Sequence, residues 1–240
     1  MAFRPQITIF IIMDLKTKKE LVEYLYGFIT ENKKEKIAEV LSQRTNYIRV
    51  IVEDLYQPHN ASAVMRSCDC FGVQNLHAIV NNNPFSMSTD ITAGSNKWID
   101  LHLHDQEKNN TTSTIKELKE KGYRIVATTP HTNDCNINEL DLEKGPLAFF
   151  FGTEGDGLTQ EMMDQADEFV KIPMYGFTES FNISVSAALI LNDVITRLKN
   201  SDINWKLTEE ETLEIKRRWV KAIIKRGEDI EKEFMEKRTV

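Results

Sequence analysis

A chain of 240 residues, 41% hydrophobic and 28% charged, can bury one sizeable core and is too apolar to stay disordered. No apolar run approaches the roughly eighteen residues of a membrane-spanning helix, which argues against a membrane location. A net charge of −7 gives no general attraction to phosphate, so any nucleic-acid contact has to come from a local basic patch.

The start, Met1 to Met13, has one Arg before a short apolar stretch. It lacks a small-residue cleavage site and runs into Asp14 and a Lys-rich segment, so it is not read as an export signal. Met13 offers a second start, in which case residues 1–12 are extra. Three cysteines, an odd number, fit a reducing cytoplasm better than a disulfide framework.

In chain order, residues 16–45 read as helix, rich in Lys and Glu, with Leu21, Leu25, Phe28 and Ile29 at helical spacing. Tyr47–Glu53 is a β-branched run typical of a buried strand, and Gln57-Pro58-His59-Asn60 turns into a helix over Ala61–Phe71 that Gly72 ends. Asn75–Val80 is a second strand, Asn81–Pro84 a loop, Thr111–Lys121 an amphipathic helix, and Tyr123–Thr128 a strand. Pro146–Phe151 is a short apolar strand opening into Gly152-Thr153-Glu154-Gly155-Asp156-Gly157. A helix from about Thr159, a strand Phe169–Ile172, a loop Pro173–Asn182 and an apolar helix Ser184–Leu198 follow. Leu207–Arg226 is a helix opened by a capping-box pattern at Thr208. The alternation gives an α/β core on a mostly parallel sheet over residues 46–200. Helical extensions occupy 1–45 and 201–240; the N-terminal one is expected either to assist docking or to cover the sheet.

Open α/β sheets bind ligands at the carboxyl ends of their strands, so three strand-leaving segments are candidates. In the first, Asn60 stands where a helix N-cap would, and Arg66 lies six residues on. That is about 600° of helix, so spacing does not put the two on one face. An ordinary salt bridge is the plain alternative for Arg66. In the second, Gly152 to Gly157 supplies three glycines that let backbone approach a ligand, although an ordinary turn has the same composition. It has neither a P-loop lysine nor the spacing of a dinucleotide fingerprint. The third, Ile172 to Ala188, delivers Ser180 and Asn182 to a small-residue helix, which is equally the pattern of a capped helix packing on the sheet.

No metal site is expected. Cys68-Asp69-Cys70 is not a zinc spacing, and His102 with His104 gives two ligands only. From Lys216 to Arg226 there are six basic residues in eleven and no acidic one. Arg217, Lys221 and Lys225 recur every four residues, the spacing of one helical face. A solvated helix face and a phosphate-binding patch both fit.

Taken together and in this order, the three segments resemble the motifs of the SpoU/TrmH family of the SPOUT superfamily of RNA methyltransferases. They are an Asn six before an Arg, a Gly-x-Glu-x-x-Gly loop, and Ile-Pro-Met…Ser-x-Asn-x-Ser-Val-Ser-Ala. The similarity runs from Lys36 to about Arg226. Leu-Thr-Glu-Glu…Arg-Arg-Trp-Val also resembles the extension of the branch that methylates the ribose of tRNA guanosine 18. The resemblance implies a deep trefoil knot near the C-terminal part of the sheet, a fold that connection rules would exclude. It also implies bent S-adenosylmethionine held by Thr128, Gly152, Ile172, Met174 and Phe181, and a homodimer whose sites draw on both subunits. Phe181 replaces the usual Leu, which reshapes a pocket wall. Arg66 matches the catalytic arginine, with Asn60, Glu154, Ser180 and Asn182 as its companions, the two asparagines orienting it. Lys216, Arg217, Arg218, Lys221, Lys225 and Arg226 would grip tRNA, with Trp219 packed beneath or stacked on a base. Other RNA targets stay open: ribosomal RNA, against which residues 1–45 are short for a separate RNA-binding domain, or the tRNA wobble position. A catalytically silent RNA-binding factor of the same fold is the remaining alternative.

Overall fold

A parallel strand covered on both faces is apolar at every position, and Leu147-Ala148-Phe149-Phe150-Phe151 is at most 1% exposed. Side chains alternate between faces. Leu147, Phe149 and Phe151 join one core cluster with Val50, Val52 and Val126, whereas Ala148 and Phe150 join a second with Ile51, Ile125 and Ala127. Burying each phenylalanine contributes roughly 1.5–3 kcal/mol over leaving it exposed.

The computed structural model describes residues 13–130 and 135–238, so the question of a leader or extra segment at residues 1–12 lies outside the described residues. The strands are β1 (Thr45–Glu53), β2 (Val73–Ile79), β3 (Asp100–His104), β4 (Arg124–Thr128), β5 (Cys135–Asn136), β6 (Leu147–Phe151) and β7 (Glu168–Lys171). They form one sheet in the order β3-β2-β1-β6-β4-β7-β5, and every pairing is parallel. The helices are α1 (Leu15–Tyr26), α2 (Glu31–Leu41), α3 (Pro58–Phe71), α4 (Thr89–Thr92), α5 (Asn110–Glu120), α6 (Gln160–Gln165), α7 (Ile183–Lys199), α8 (Glu209–Ile223) and α9 (Gly227–Glu236). Helices α3 and α7 pack together against the first cluster, and α5 and α6 pack together against the second. Among the described residues no helix is long and apolar enough to cross a membrane.

Local chemistry moves several expected boundaries. The helix expected over 16–45 is two helices, broken after Tyr26 at Gly27. Helix α3 starts at Pro58 with Gln57 as its N-cap, because proline's fixed φ suits the first helical turn. Asn60 is therefore inside the helix and not its cap, which frees its amide for contacts elsewhere. The helix expected to reach Arg226 ends at Ile223: Ile224 is extended, Arg226 has φ +63°, and α9 begins. A Cβ on Gly227 would lie 2.3 Å from the Lys221 carbonyl oxygen, so only glycine fits that reversal.

The chain divides into two units, Ser42–Leu207 with the sheet and α3–α7, and a helical unit made from residues up to Leu41 and from Thr208 onward. In the helical unit Leu21, Val22 and Leu25 of α1 are buried where α1 packs on α8 and α9. Trp219 on α8 is 2% exposed, which makes it a packing residue and removes the base-stacking alternative.

On the β1–β3 part of the sheet, His77 stacks between His102 and His104, with ring centroids 4.4 and 5.2 Å away. Arg49 Nη1 lies 2.9 Å from His77 Nε2, and His102 Nε2 lies 2.7 Å from Asn75 Oδ1. Burial first, then the nearby Arg49 and neighbouring histidines, pushes His77 well below its ordinary value and His102 down to about 4. Burial lowers His104 in the same direction. A histidine depressed in the folded state takes its proton first in the unfolded state. Stability is thus complete above about pH 6.5, the free value, and declines as pH falls toward 4. The urea midpoint is expected to fall between pH 7 and 4.5, and His102→Phe to flatten that slope. A flat wild-type profile would contradict it.

Candidate active site

Strands β1, β6, β4 and β7 are neighbours in the sheet, so their carboxyl ends bring four loops together. From β1 the chain enters α3. From β6 it runs through Gly152–Leu158, from β4 through Thr128–Pro130, and from β7 through Ile172–Asn182 into α7.

Three side chains from separate segments, the first turn of α3, the turn after β6 and the N-cap of α7, share hydrogen bonds. Buried Asn60 donates from Nδ2 to Glu154 Oε1 at 3.1 Å and to Gln57 Oε1 at 3.1 Å. Asn182 donates from Nδ2 to Asn60 Oδ1 at 3.1 Å and to Glu154 Oε1. Its Oδ1 accepts from Ser184 N at 2.9 Å and Ser184 Oγ at 2.6 Å, so the same amide caps α7. Asn182 thus caps α7 and at the same time joins Asn60 and Glu154.

The glycine loop is held as a closed turn. Thr153 and Gly157 exchange backbone hydrogen bonds of 2.9 and 3.1 Å. A Cβ on Gly152 would lie 2.1 Å from the Gly157 carbonyl carbon, so residue 152 has no room for a side chain. Below the turn, the buried carboxylate of Glu53 accepts from Thr159 N at 2.9 Å, Thr159 Oγ1 at 2.8 Å and Thr111 Oγ1 at 2.6 Å. It ties the end of β1 to the residue where the loop re-enters helix. Asp54 follows with φ +53° and accepts from the backbone of Asn81, Asn82 and Asn83. Burial would raise its pKa, but these hydrogen bonds outweigh it and the carboxyl is held below its ordinary value.

Beside the polar triangle lies a cleft lined by Thr128, Ile172, Met174, Ser180, Phe181 and, from α7, Ser186 and Ile190. Thr128 Oγ1 donates to Phe150 O at 2.8 Å, which fixes the cleft wall to β6. Five of the expected residues are thus cleft-lining, and Gly152 stands in the turn that carries Glu154. The sequence reading missed Gln57, Glu53, Ser186 and Ile190. Ser186 and Ile190 were accessible to it, for they follow Asn182 at four-residue steps and so share its helical face.

Arg66 is not brought to the triangle. It is exposed, on the outer face of α3 with His59 and Cys70, and makes no ion pair with any described residue. The plain salt-bridge reading of Arg66 does not hold among those residues, and Asn60 and Asn182 hydrogen-bond to each other and Glu154, not to Arg66. Among the described residues no three His, Cys, Asp or Glu side chains converge as metal ligands. Burial pushes the Cys68 thiol up to about 12, and Cys68, Cys70 and Cys135 are free thiols.

The basic run is less uniform than its spacing suggests. Arg217 pairs with Glu214 and with Glu231 of α9, and Lys221 pairs with Glu228 and Glu231. Lys225 falls beyond the end of α8 and so does not continue the Arg217–Lys221 face, because the backbone reverses there. Arg226 pairs with Asp229, and Lys216 Nζ sits 5.8 Å from the Tyr26 ring centroid.

A parallel sheet with an apolar cleft and an amide–carboxylate junction at its carboxyl ends defines an α/β protein with a small-molecule site fed by four strand-leaving segments. Residues 47–192 match the SpoU rRNA methylase family, and the chain belongs to that family. A Borreliella burgdorferi protein named tRNA (guanosine(18)-2′-O)-methyltransferase is 39% identical over 207 residues, 86% of this chain and 93% of that one. The crystal structure of an A. aeolicus TrmH/SpoU tRNA modifying enzyme superposes with a TM-score of 0.71 at 30% identity, covering 81% of this chain and 98% of that one. The SpoU methyltransferase AviRb from Streptomyces viridochromogenes, crystallised with AdoMet, shares the fold at a TM-score of 0.55 and 20% identity, covering 68% of this chain and 62% of that one.

Proposed function

We propose that this protein transfers a methyl group from S-adenosylmethionine to the ribose 2′-hydroxyl of guanosine 18 in the tRNA D-loop, acting as a cytoplasmic homodimer. The observation that carries this reading is the junction of Asn60, Glu154 and Asn182, 94 and 122 residues apart for the Asn60 pairs, beside an apolar cleft. The relative that matches across nearly its whole length bears the name of that reaction, which favours tRNA over the ribosomal RNA of the family's name.

The cleft suits the cofactor chemically. Ile172, Met174, Phe181 and Ile190 offer apolar walls to an adenosyl group, and Thr128, Ser180 and Ser186 offer hydroxyls. The cofactor supplies an electrophilic methyl on a sulfonium. The residues of this chain orient the hydroxyl in line with it and remove a proton. Arginine stays charged because its pKa exceeds about 12. A charged Arg66 stabilises the developing alkoxide; alternatively, Arg66 first gives a proton to an RNA phosphate and then takes the one leaving the hydroxyl. Its exposure on the outer face of α3, away from the triangle of its own chain, supports delivery to the site of a second protomer. The exposed Val185 and Leu189, four residues apart on α7, give that association an apolar face. The knot implied by the resemblance is part of this proposal.

Methyl transfer from labelled S-adenosylmethionine to an unmodified tRNA transcript, mapped by nuclease digestion and mass spectrometry, tests the reading. A 2′-O-methylguanosine in the D-loop is the expected product. Cofactor binding without transfer to tRNA would sink the tRNA assignment and direct the assay to ribosomal RNA fragments.

Of the six basic residues proposed for RNA contact, Lys216 and Lys225 pair with no described carboxylate and Arg226 pairs with the exposed Asp229, whereas Arg217 and Lys221 are committed to Glu231, itself only 12% exposed at the side chain. The double change Lys225→Gln, Arg226→Gln is expected to flatten the salt dependence of tRNA binding by about one unit of slope for each phosphate no longer neutralised. Arg217→Gln is expected to lower the thermal midpoint instead, by leaving the largely buried Glu231 carboxylate short of one of its cations. Equal effects of the two variants on slope and midpoint would reverse the assignment.

A further inference from the structure

The loop between β7 and α7 carries two aromatic side chains that nothing covers: Tyr175 is 96% exposed and Phe177 is 108% exposed. Both ends of this loop belong to the cleft, through Ile172 and Met174 on one side and Ser180 and Phe181 on the other. A shallow recess continues from it between Pro130, Met174, Gly176, Thr178 and Glu179. Tyr175 and Phe177 therefore stand at the mouth of the site. Leaving two large rings in water forgoes burial worth having, and they contribute nothing to the core.

We propose that Tyr175 and Phe177 form a stacking platform for nucleobases next to the methylated ribose, and so position the RNA strand over the cleft. The proposal rests on the function proposed above. A ribose whose hydroxyl enters the cleft necessarily leaves its own base or a flanking base within a nucleotide's length of the mouth. Unstacked RNA bases are recognised by aromatic faces, which accept any base and add affinity without reading sequence. The polar neighbours Thr178, Glu179 and Ser180 break up the apolar surface around the rings, unlike the continuous Val185–Leu189 face of α7. A wet, interrupted surface with isolated rings fits a base better than a second copy of the chain. Gly176 between the two rings leaves the backbone free to adjust to the strand.

The test is equilibrium binding of unmodified tRNA transcript to the full chain, with cofactor binding by calorimetry and self-association by sedimentation measured alongside. The double variant Tyr175→Ala, Phe177→Ala is expected to bind tRNA roughly 5- to 150-fold more weakly, the range for losing one stacked base. Phe177→Trp is expected to restore binding, and Phe177→Leu, apolar but not aromatic, to fail to. A Tyr175→Trp variant should show indole fluorescence quenched on tRNA addition, which a merely structural role would not produce. Unchanged tRNA affinity in the double variant overturns the proposal, as does loss of self-association with tRNA affinity preserved per dimer. Wild-type chain that binds tRNA and cofactor yet transfers no methyl would instead refute the proposed reaction, leaving the platform to stand or fall on binding alone.

Discussion

Replacing Arg66 by alanine is expected to lower methyl transfer to tRNA by about 100- to 1,000-fold, the usual loss when a charge-stabilising donor is removed from a reacting oxygen. The same change is expected to alter unfolding free energy by no more than about 0.5 kcal/mol, since Arg66 is exposed and makes no ion pair with any described residue. That contrast is informative, because an arginine built into a structural salt bridge would show the opposite pattern. Arg66→Lys keeps the charge and discards the planar guanidinium. Full activity in that variant would remove any role for guanidinium geometry. Full activity in the alanine variant would remove Arg66 from the chemistry altogether. Mixing Arg66→Ala protomers with protomers changed at Asn182 tests the two-subunit site: partial recovery of activity is expected if each cleft takes its arginine from the partner.

Gly152→Ala carries the second large effect. The added methyl would sit 2.1 Å from the Gly157 carbonyl carbon and oxygen and 2.3 Å from Leu158 N, all backbone atoms that cannot rotate aside. Overpacking of this kind typically costs about 1–3 kcal/mol. It also forces open the turn that presents Glu154 to Asn60 and Asn182, so cofactor affinity measured by calorimetry is expected to fall with the urea midpoint. Gly155→Ala is the control. Its φ of +103° strains any side chain, but no atom lies within 4 Å of the added Cβ, so the turn can relax. If Gly152→Ala bound cofactor like the wild type, the tight turn would be irrelevant to the site.

The strands were readable because a parallel sheet buried on both faces leaves unbroken apolar runs, as in Leu147–Phe151. Helix ends were less so. Pro58 moved the start of α3 forward and made Asn60 an interior residue, and the reversal at Arg226–Gly227 depends on a close approach to Lys221 that no local pattern announces. The strand order was invisible, since placing β6 between β1 and β4 depends on contacts far apart in sequence. That order brings Asn60, Glu154 and Asn182 together. The candidate site was legible as three separate segments, and its assembly as one site was implied by the family resemblance. Glu53 was hidden for a different reason: a lone carboxylate ending an apolar strand looks like the first solvent-facing residue, yet it is buried and satisfied by Thr111 and Thr159. The basic run misled because Arg217 and Lys221 share a largely buried counterion on α9, which packs back against α8 in a way no local spacing announces.

Asn182 spends both ends of one amide at once, its oxygen on the first turn of α7 and its nitrogen on Asn60 and Glu154. A rotation of that helix cannot leave the acid and amide partners where they were. Val185 and Leu189 belong to the same helix, so in the proposed homodimer self-association and ligand occupancy are thermodynamically reciprocal. Whatever factor pairing of two chains adds to cofactor affinity, cofactor must add to pairing. Titrating S-adenosylmethionine while following sedimentation would read that factor directly, and a dimerisation constant indifferent to the cofactor would show the helix to be a passive spacer.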